Sequence, residues 1–115
     1  METDETVQIE YTARFQRDVR TLTKRYRNIR TDLQPLLDRL QTGEILGDRV
    51  PGMDYTVFKV RVKNSNIQKG KSAGYRVLYY LKASDRIIMI TMYSKSDLSD
   101  IPAEEVRDIL AEYEN

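Results

Sequence analysis

The chain has 115 residues, enough for one domain around one core, and sums to a formal charge of +1. It contains neither cysteine nor histidine. That excludes disulfides, thiolate or imidazole metal sites and every Ser-His or Cys-His nucleophile, leaving Lys, Arg, Tyr, Asp, Glu and Ser for any chemistry. No apolar run approaches the roughly 18 residues that a bilayer span requires, and no signal peptide is read at the start, so a cytoplasmic protein is expected. No phosphate-binding loop or dinucleotide motif is present, and neither cofactor nor metal is expected.

Taken in order, residues 1–6 are polar and acidic and read as a frayed end. Val7, Ile9 and Tyr11 alternate with Gln8 and Glu10, the pattern of a short half-buried strand. Thr12 is a helix cap, and Phe15, Val19, Leu22 and Tyr26 line one face of a helix over 13–26. Its outer face carries Arg14, Arg17, Arg20, Lys24, Arg25 and Arg27, open to two readings: a solvated surface or a contact with nucleic-acid backbone. Asp32 as cap and Pro35 in the first turn predict a second helix, with Leu33, Leu36, Leu37 and Leu40 buried and Gly43 as its stop. Gly43 to Tyr55 reads as loop.

Three strands follow. Over Val57–Lys63, Phe58, Val60 and Val62 take one face and Lys59, Arg61 and Lys63 the other, a period of two that aligns three cations. A polar loop containing Lys69 and Lys71 leads to Gly74–Lys82, where Tyr75, Val77, Tyr79 and Leu81 oppose Arg76, Leu78, Tyr80 and Lys82. After a reversal at Ala83–Asp85, Ile87–Tyr93 is apolar on both faces, as a strand covered on two sides should be. Pro102 opens a last helix that buries Val106, Ile109, Leu110 and Tyr113. In that C-terminal stretch seven acids between Asp97 and Glu114 face Arg107 alone.

The order is β-α-α-β-β-β-α in a single domain, 1–115. It predicts an α+β fold: an antiparallel sheet with a helical hairpin on one face, the opposite face left for the basic row, and a C-terminal helix. Charge is segregated along the chain. Thr56 to Lys95 holds nine basic residues against Asp85, so the other seventy-five residues carry net −7. A surface of that kind attracts polyanions, although exposed sheet cations also serve solubility and edge protection.

RNA cleavage asks for removal of the 2′-hydroxyl proton, stabilisation of a charged phosphorane and protonation of the leaving oxygen. Without histidine, a lysine among neighbouring cations is a candidate base, and arginines are candidates for holding the developing charge. Lys59, Arg61 and Arg76 have those residue types, strand parity puts Lys59 and Arg61 together, and Tyr93 or Lys95 adds a donor. Tyr75 and Tyr79 share parity with Val77 and read as core. Tyr80 shares parity with Arg76 and is the better base-stacking candidate.

From Gly47 onward the sequence resembles the RelE/ParE superfamily of bacterial type II toxins, most closely the HigB-like branch of the RelE type. The resemblance lies in Gly47–Gly52, in Phe58-Lys59-Val60-Arg61-Val62, in Gly70-Lys71-Ser72-Ala73-Gly74-Tyr75-Arg76 with the tyrosine-rich run after it, and in Ile90-Thr91-Met92-Tyr93-Ser94-Lys95-Ser96-Asp97. It implies a ribosome-dependent messenger-RNA endoribonuclease, metal-independent, neutralised by a cognate antitoxin and oligomeric only through that complex. Carried over by position, the implied catalytic cluster is Lys59, Arg61, Arg76, Tyr93 and Lys95, and the match adds Arg76 to Lys59 and Arg61 as three cations expected to face one another on the exposed sheet surface. Lys71, in the family's Gly-Lys turn, is an implied phosphate contact, and Lys63, Lys69 and Tyr80 are expected to join it in contacting RNA. Ala73 replaces the first glycine of the family's usual pair, and Pro102 falls near the C-terminal tyrosine of some relatives. The rival within the same fold is a ParE-type toxin acting on DNA gyrase. A non-catalytic nucleic-acid-binding protein is the third reading, and no recognition helix stands out for it.

Overall fold

The computed structural model describes residues 6–67 and 73–115. The frayed start and the turn carrying Lys69 and Lys71 fall outside the described residues, apart from Thr6. The elements are β1 (Gln8–Tyr11), α1 (Ala13–Thr23), α2 (Ile29–Gln41), β2 (Asp48–Arg49), β3 (Val57–Val62), β4 (Tyr75–Ala83), β5 (Arg86–Ser94) and α3 (Ala103–Glu114). The α+β fold is as expected, with one addition: β2, expected as loop, pairs with Lys59 and Phe58 of β3. Gly47 permits that close pass, since its φ is +86° and a Cβ there would stand 2.4 Å from the Lys59 carbonyl oxygen.

The strand order is β1-β5-β4-β3-β2. β2 to β5 pair antiparallel in sequence, but β1 lies parallel to β5, so the sheet is mixed rather than wholly antiparallel. The cause is the helical hairpin after β1, which carries the chain across the sheet instead of reversing it in a tight turn.

One face of the sheet packs Val62, Tyr75, Val77, Tyr79, Ile87 and Met89 against Phe15, Val19 and Leu22 of α1 and Ile29, Leu33, Leu36 and Leu40 of α2. The opposite face is not left open. There α3 lays Val106, Ile109 and Leu110 over Leu78, Ile88 and Ile90, with Met53, Val57 and Ile101 alongside. An amphipathic C-terminal helix must bury its stripe somewhere, and the two apolar faces of β5 supply the place.

Thr12 caps α1 as its position suggests, its hydroxyl accepting from Phe15 N at 2.9 Å. This helix stops at Thr23, short of the expected residue 26. The second helix starts earlier than expected, at Ile29. Ile29 is fully buried and extends the stripe 29, 33, 36, 40 by one turn. Asp32 caps nothing in its own helix: its carboxylate accepts from Ser65 N at 2.9 Å and Ser65 Oγ at 3.1 Å, fastening the loop after β3. Pro35 therefore sits in the helix interior, where it removes the bond to the Thr31 carbonyl. No helix among the described residues is long and apolar enough to cross a membrane.

Candidate active site

Gly74 determines how β4 meets β3. A Cβ on it would lie 2.2 Å from the Val62 carbonyl oxygen, so only glycine lets the strand begin this close. The register that follows sets Arg61 opposite Arg76, and Arg76 opposite Tyr93. Directly paired residues share a face, which makes Arg61, Arg76 and Tyr93 a row across three strands on the α3 side of the sheet. Lys59, two residues along β3, belongs to the same face.

Tyr93 reaches that face only through a bulge. Ile87 and Met89 point at the helical hairpin, and unbroken alternation would send Tyr93 there too. Between the pairs Leu78–Thr91 and Tyr79–Met89 the register slips, leaving Ile90 as an extra residue. Beyond it Met92 joins the hairpin core and Tyr93 joins the other. The start of α1 satisfies the polar groups at this irregularity. Thr12 Oγ1 donates to the Ile90 carbonyl at 2.6 Å, and the Asp18 carboxylate accepts from Met92 N at 3.1 Å and from the Thr91 hydroxyl. Arg14 in turn holds Asp18 at 3.3 Å and reaches Glu105 of α3 at 2.9 Å. Asp18 went unnoticed in the sequence; its only signal is that it is the one acid in α1.

Arg76 is 6 % exposed, not at an open surface as expected. It lies on the middle strand of five, between Arg61 and Tyr93, and its guanidinium donates to the Tyr75 carbonyl at 3.3 Å. Arg61 is exposed. Lys59 is half-buried and ion-paired with Asp100 at 2.9 Å. The charged partner it touches is thus a carboxylate. Tyr93 Oη donates to the same Asp100 oxygen at 3.4 Å, and Ile101 N donates to it at 2.9 Å. The Lys59 ammonium, chiefly, holds the Asp100 carboxyl below the ordinary range. Burial first, then the Asp100 charge and hydrogen bond, push the Tyr93 phenol up to about 12, so at neutral pH it is a proton donor. Lys95 donates from Nζ to the Ser99 carbonyl at 2.7 Å, and its backbone N–H bonds Gly74 O at 2.9 Å, which brings it to the end of the row.

The remaining candidates stand apart. Lys63 is exposed one residue past the end of β3. Tyr80 shares the face of Arg76 but lies four residues along β4, about 13 Å away at strand spacing. It is half-buried, edge-to-face with Tyr55 at 5.1 Å between ring centroids. Lys69 and Lys71 are outside the described residues. Tyr75 and Tyr79 are core, as read.

The charge segregation seen along the chain is partly offset in space. Asp97 pairs with Arg25, Asp100 with Lys59, Glu105 with Arg14 and Glu114 with Lys82. Arg86 is held by Glu10 at 2.7 Å. These four acids of the C-terminal segment fold back onto Arg14 of α1, Arg25 just beyond it, and Lys59 and Lys82 of the sheet.

A mixed five-stranded sheet with a helical hairpin on one face and a C-terminal helix on the other is consistent with a RelE-like fold. A family model described as the RelE toxin of the RelE/RelB toxin–antitoxin system matches residues 13–113, from the first turn of α1 to the last of α3. The chain belongs to this toxin family, whose members are generally endoribonucleases, and membership implies an antitoxin partner.

Proposed function

We propose that this chain is a ribosome-dependent messenger-RNA endoribonuclease of the HigB-like kind, working in the cytoplasm without metal or cofactor and oligomerising only through its cognate antitoxin. The observation that supports this most is the Arg61–Arg76–Tyr93 row, with Lys59 on the same face. In the proposed reaction the 2′-hydroxyl gives its proton to water and its oxygen attacks the adjacent phosphorus. The bond from phosphorus to the 5′-oxygen breaks, and that oxygen takes up a proton. Arg76 and Arg61 hold the non-bridging oxygens through planar, charge-assisted hydrogen bonds. Tyr93, still protonated, serves as donor to the leaving oxygen. Lys59 assists at the 2′-oxygen, and Lys95 places the phosphate from the end of the row. Lys63, Lys69 and Lys71 contact the backbone further out, and Tyr80 stacks on a base away from the scissile bond.

Inducing the protein in cells and mapping new 5′ ends in messenger RNA tests the reading, with ribosome-bound message as the substrate in vitro. Wild type should generate cuts within translated frames, and Arg61→Ala should reduce them by about 10²–10³, the usual worth of one fixed donor. Arg107→Ala, on the exposed side of α3, should cut like wild type. Altered DNA supercoiling with no new 5′ ends would overturn the nuclease reading.

A further inference from the structure

Asp100 is placed where an acid is least expected in a site for a polyanion. It stands ahead of α3, its side chain 64 % exposed, yet it reaches back to Lys59 at 2.9 Å and receives the Tyr93 hydroxyl at 3.4 Å. One oxygen collects both contacts and the Ile101 amide as well. These are the contacts a phosphate oxygen would make: an ammonium, a phenol and a backbone N–H converging on one anionic oxygen. The segment that delivers it is anchored on both sides, by Lys95 to Ser99 O at 2.7 Å before it and by Glu105 to Arg14 at 2.9 Å after it.

We infer that Asp100 is a built-in competitor for the RNA phosphate, occupying Lys59 and Tyr93 in the free protein and yielding them when RNA binds. This rests on the reading that the row takes RNA. An ion pair this exposed is weak and screened, so a polyanion with several phosphates displaces it easily. Asp100 therefore sets a threshold. It disfavours single small anions and short contacts, while a strand that also engages Arg61 and Arg76 overcomes it.

The experiment measures binding, apart from cleavage, of a short single-stranded RNA whose 2′-O-methyl sugars cannot attack. Asp100→Asn keeps an acceptor for Ile101 N and removes the charge; Asp100→Ser is the second variant should the first be poorly folded. Either should tighten binding about two- to five-fold, the worth of one exposed ion pair. Freeing one cation should also steepen the log–log salt dependence by about 0.7. Glu104→Gln, an exposed acid in the first turn of α3, controls for net charge and should do less. In a Lys59→Ala background the gain from Asp100→Asn should fall to that of the Glu104 control. A gain no larger than the control, or one that survives loss of Lys59, overturns the inference. If Arg61→Ala leaves wild-type binding unchanged, the RNA-face reading itself has failed and takes this inference with it. If Arg61→Ala weakens binding while Asp100→Asn does nothing, only the role of Asp100 is lost.

Discussion

At the scale of single residues, burial changes what a substitution tests. Arg76 is 6 % exposed, so its removal empties a packed position as well as the centre of the row. Arg76→Ala is expected to lower stability by about 1–3 kcal/mol, beyond the roughly 0.5 typical of a surface arginine. Arg76→Lys should recover part of the stability and little of the activity, because an ammonium cannot reproduce the planar fork. Urea unfolding beside cleavage of ribosome-bound message separates the two effects. Tyr75 gives the opposite case. Its ring is fully buried against Tyr26 at 5.8 Å, its hydroxyl has no hydrogen-bond partner among the described residues, and burial raises its phenol above the ordinary range. Deleting an unsatisfied buried hydroxyl leaves nothing orphaned, so Tyr75→Phe should be neutral or stabilising, within about 1 kcal/mol. A large loss of Tm would contradict that account.

At the scale of elements, α1 builds the site from the other side of the sheet. Asp18 takes Met92 N and the Thr91 hydroxyl, and without it both donors lose their partner. Asp18→Ala should cost about 1–3 kcal/mol. It should also reduce cleavage more than RNA binding, since it loosens the bulge that turns Tyr93 toward Arg76. Asp18→Asn keeps one acceptor oxygen and should restore part of both, a rescue that general destabilisation would not show. The second helix tolerates an interior proline because its stripe from Ile29 to Leu40 is held by packing on the sheet. Its exposed Pro35 still lacks a backbone donor, and Pro35→Ala should raise stability by up to about 3 kcal/mol, read as a higher Tm.

At the scale of the whole molecule, α3 is tied across the sheet by charges whose titration sets its pH range. At its far end the Tyr113 hydroxyl donates to Glu10, which Arg86 also holds. Those two bonds, Tyr113 first, keep the Glu10 carboxyl below its ordinary value. The same contact, followed by burial, raises the Tyr113 phenol. A lowered carboxyl contributes stability in full above its unfolded value and loses it as pH falls through the folded one; a raised phenol contributes below its unfolded value and loses it as pH rises through the folded one. The Glu10–Tyr113 tie should thus hold through neutral pH and open in acid and in strong base. Asp100, also lowered, should release Lys59 on the acid side. The Tyr113 ring resonances should shift along the acid limb, and Glu10→Gln should remove that inflection while leaving the fold intact at neutral pH.

Some of this was decided by neighbours in sequence alone. The two-residue period of Val57–Val62 puts Lys59 and Arg61 on one face whatever the rest of the chain does, because a strand alternates by its own geometry. Thr12 caps α1, and the parity of Tyr75 and Tyr79 with Val77 sends them into the core, for equally local reasons. The motifs from Gly47 to Lys95 carried the family resemblance by themselves. The tertiary structure decided the rest, because it rests on partners far apart in the chain. Strand β1 runs parallel to β5, α3 covers the second face, and Thr12 and Asp18 reach 78 and 74 residues along the chain to the bulge. That bulge moves Tyr93 from one side of the sheet to the other, where alternation read along β5 would have left it facing α1. Four of the seven acids that stood against a single arginine in the sequence, Asp97, Asp100, Glu105 and Glu114, find their cations only when the chain folds back, since ion pairing depends on distance in space and not along the chain.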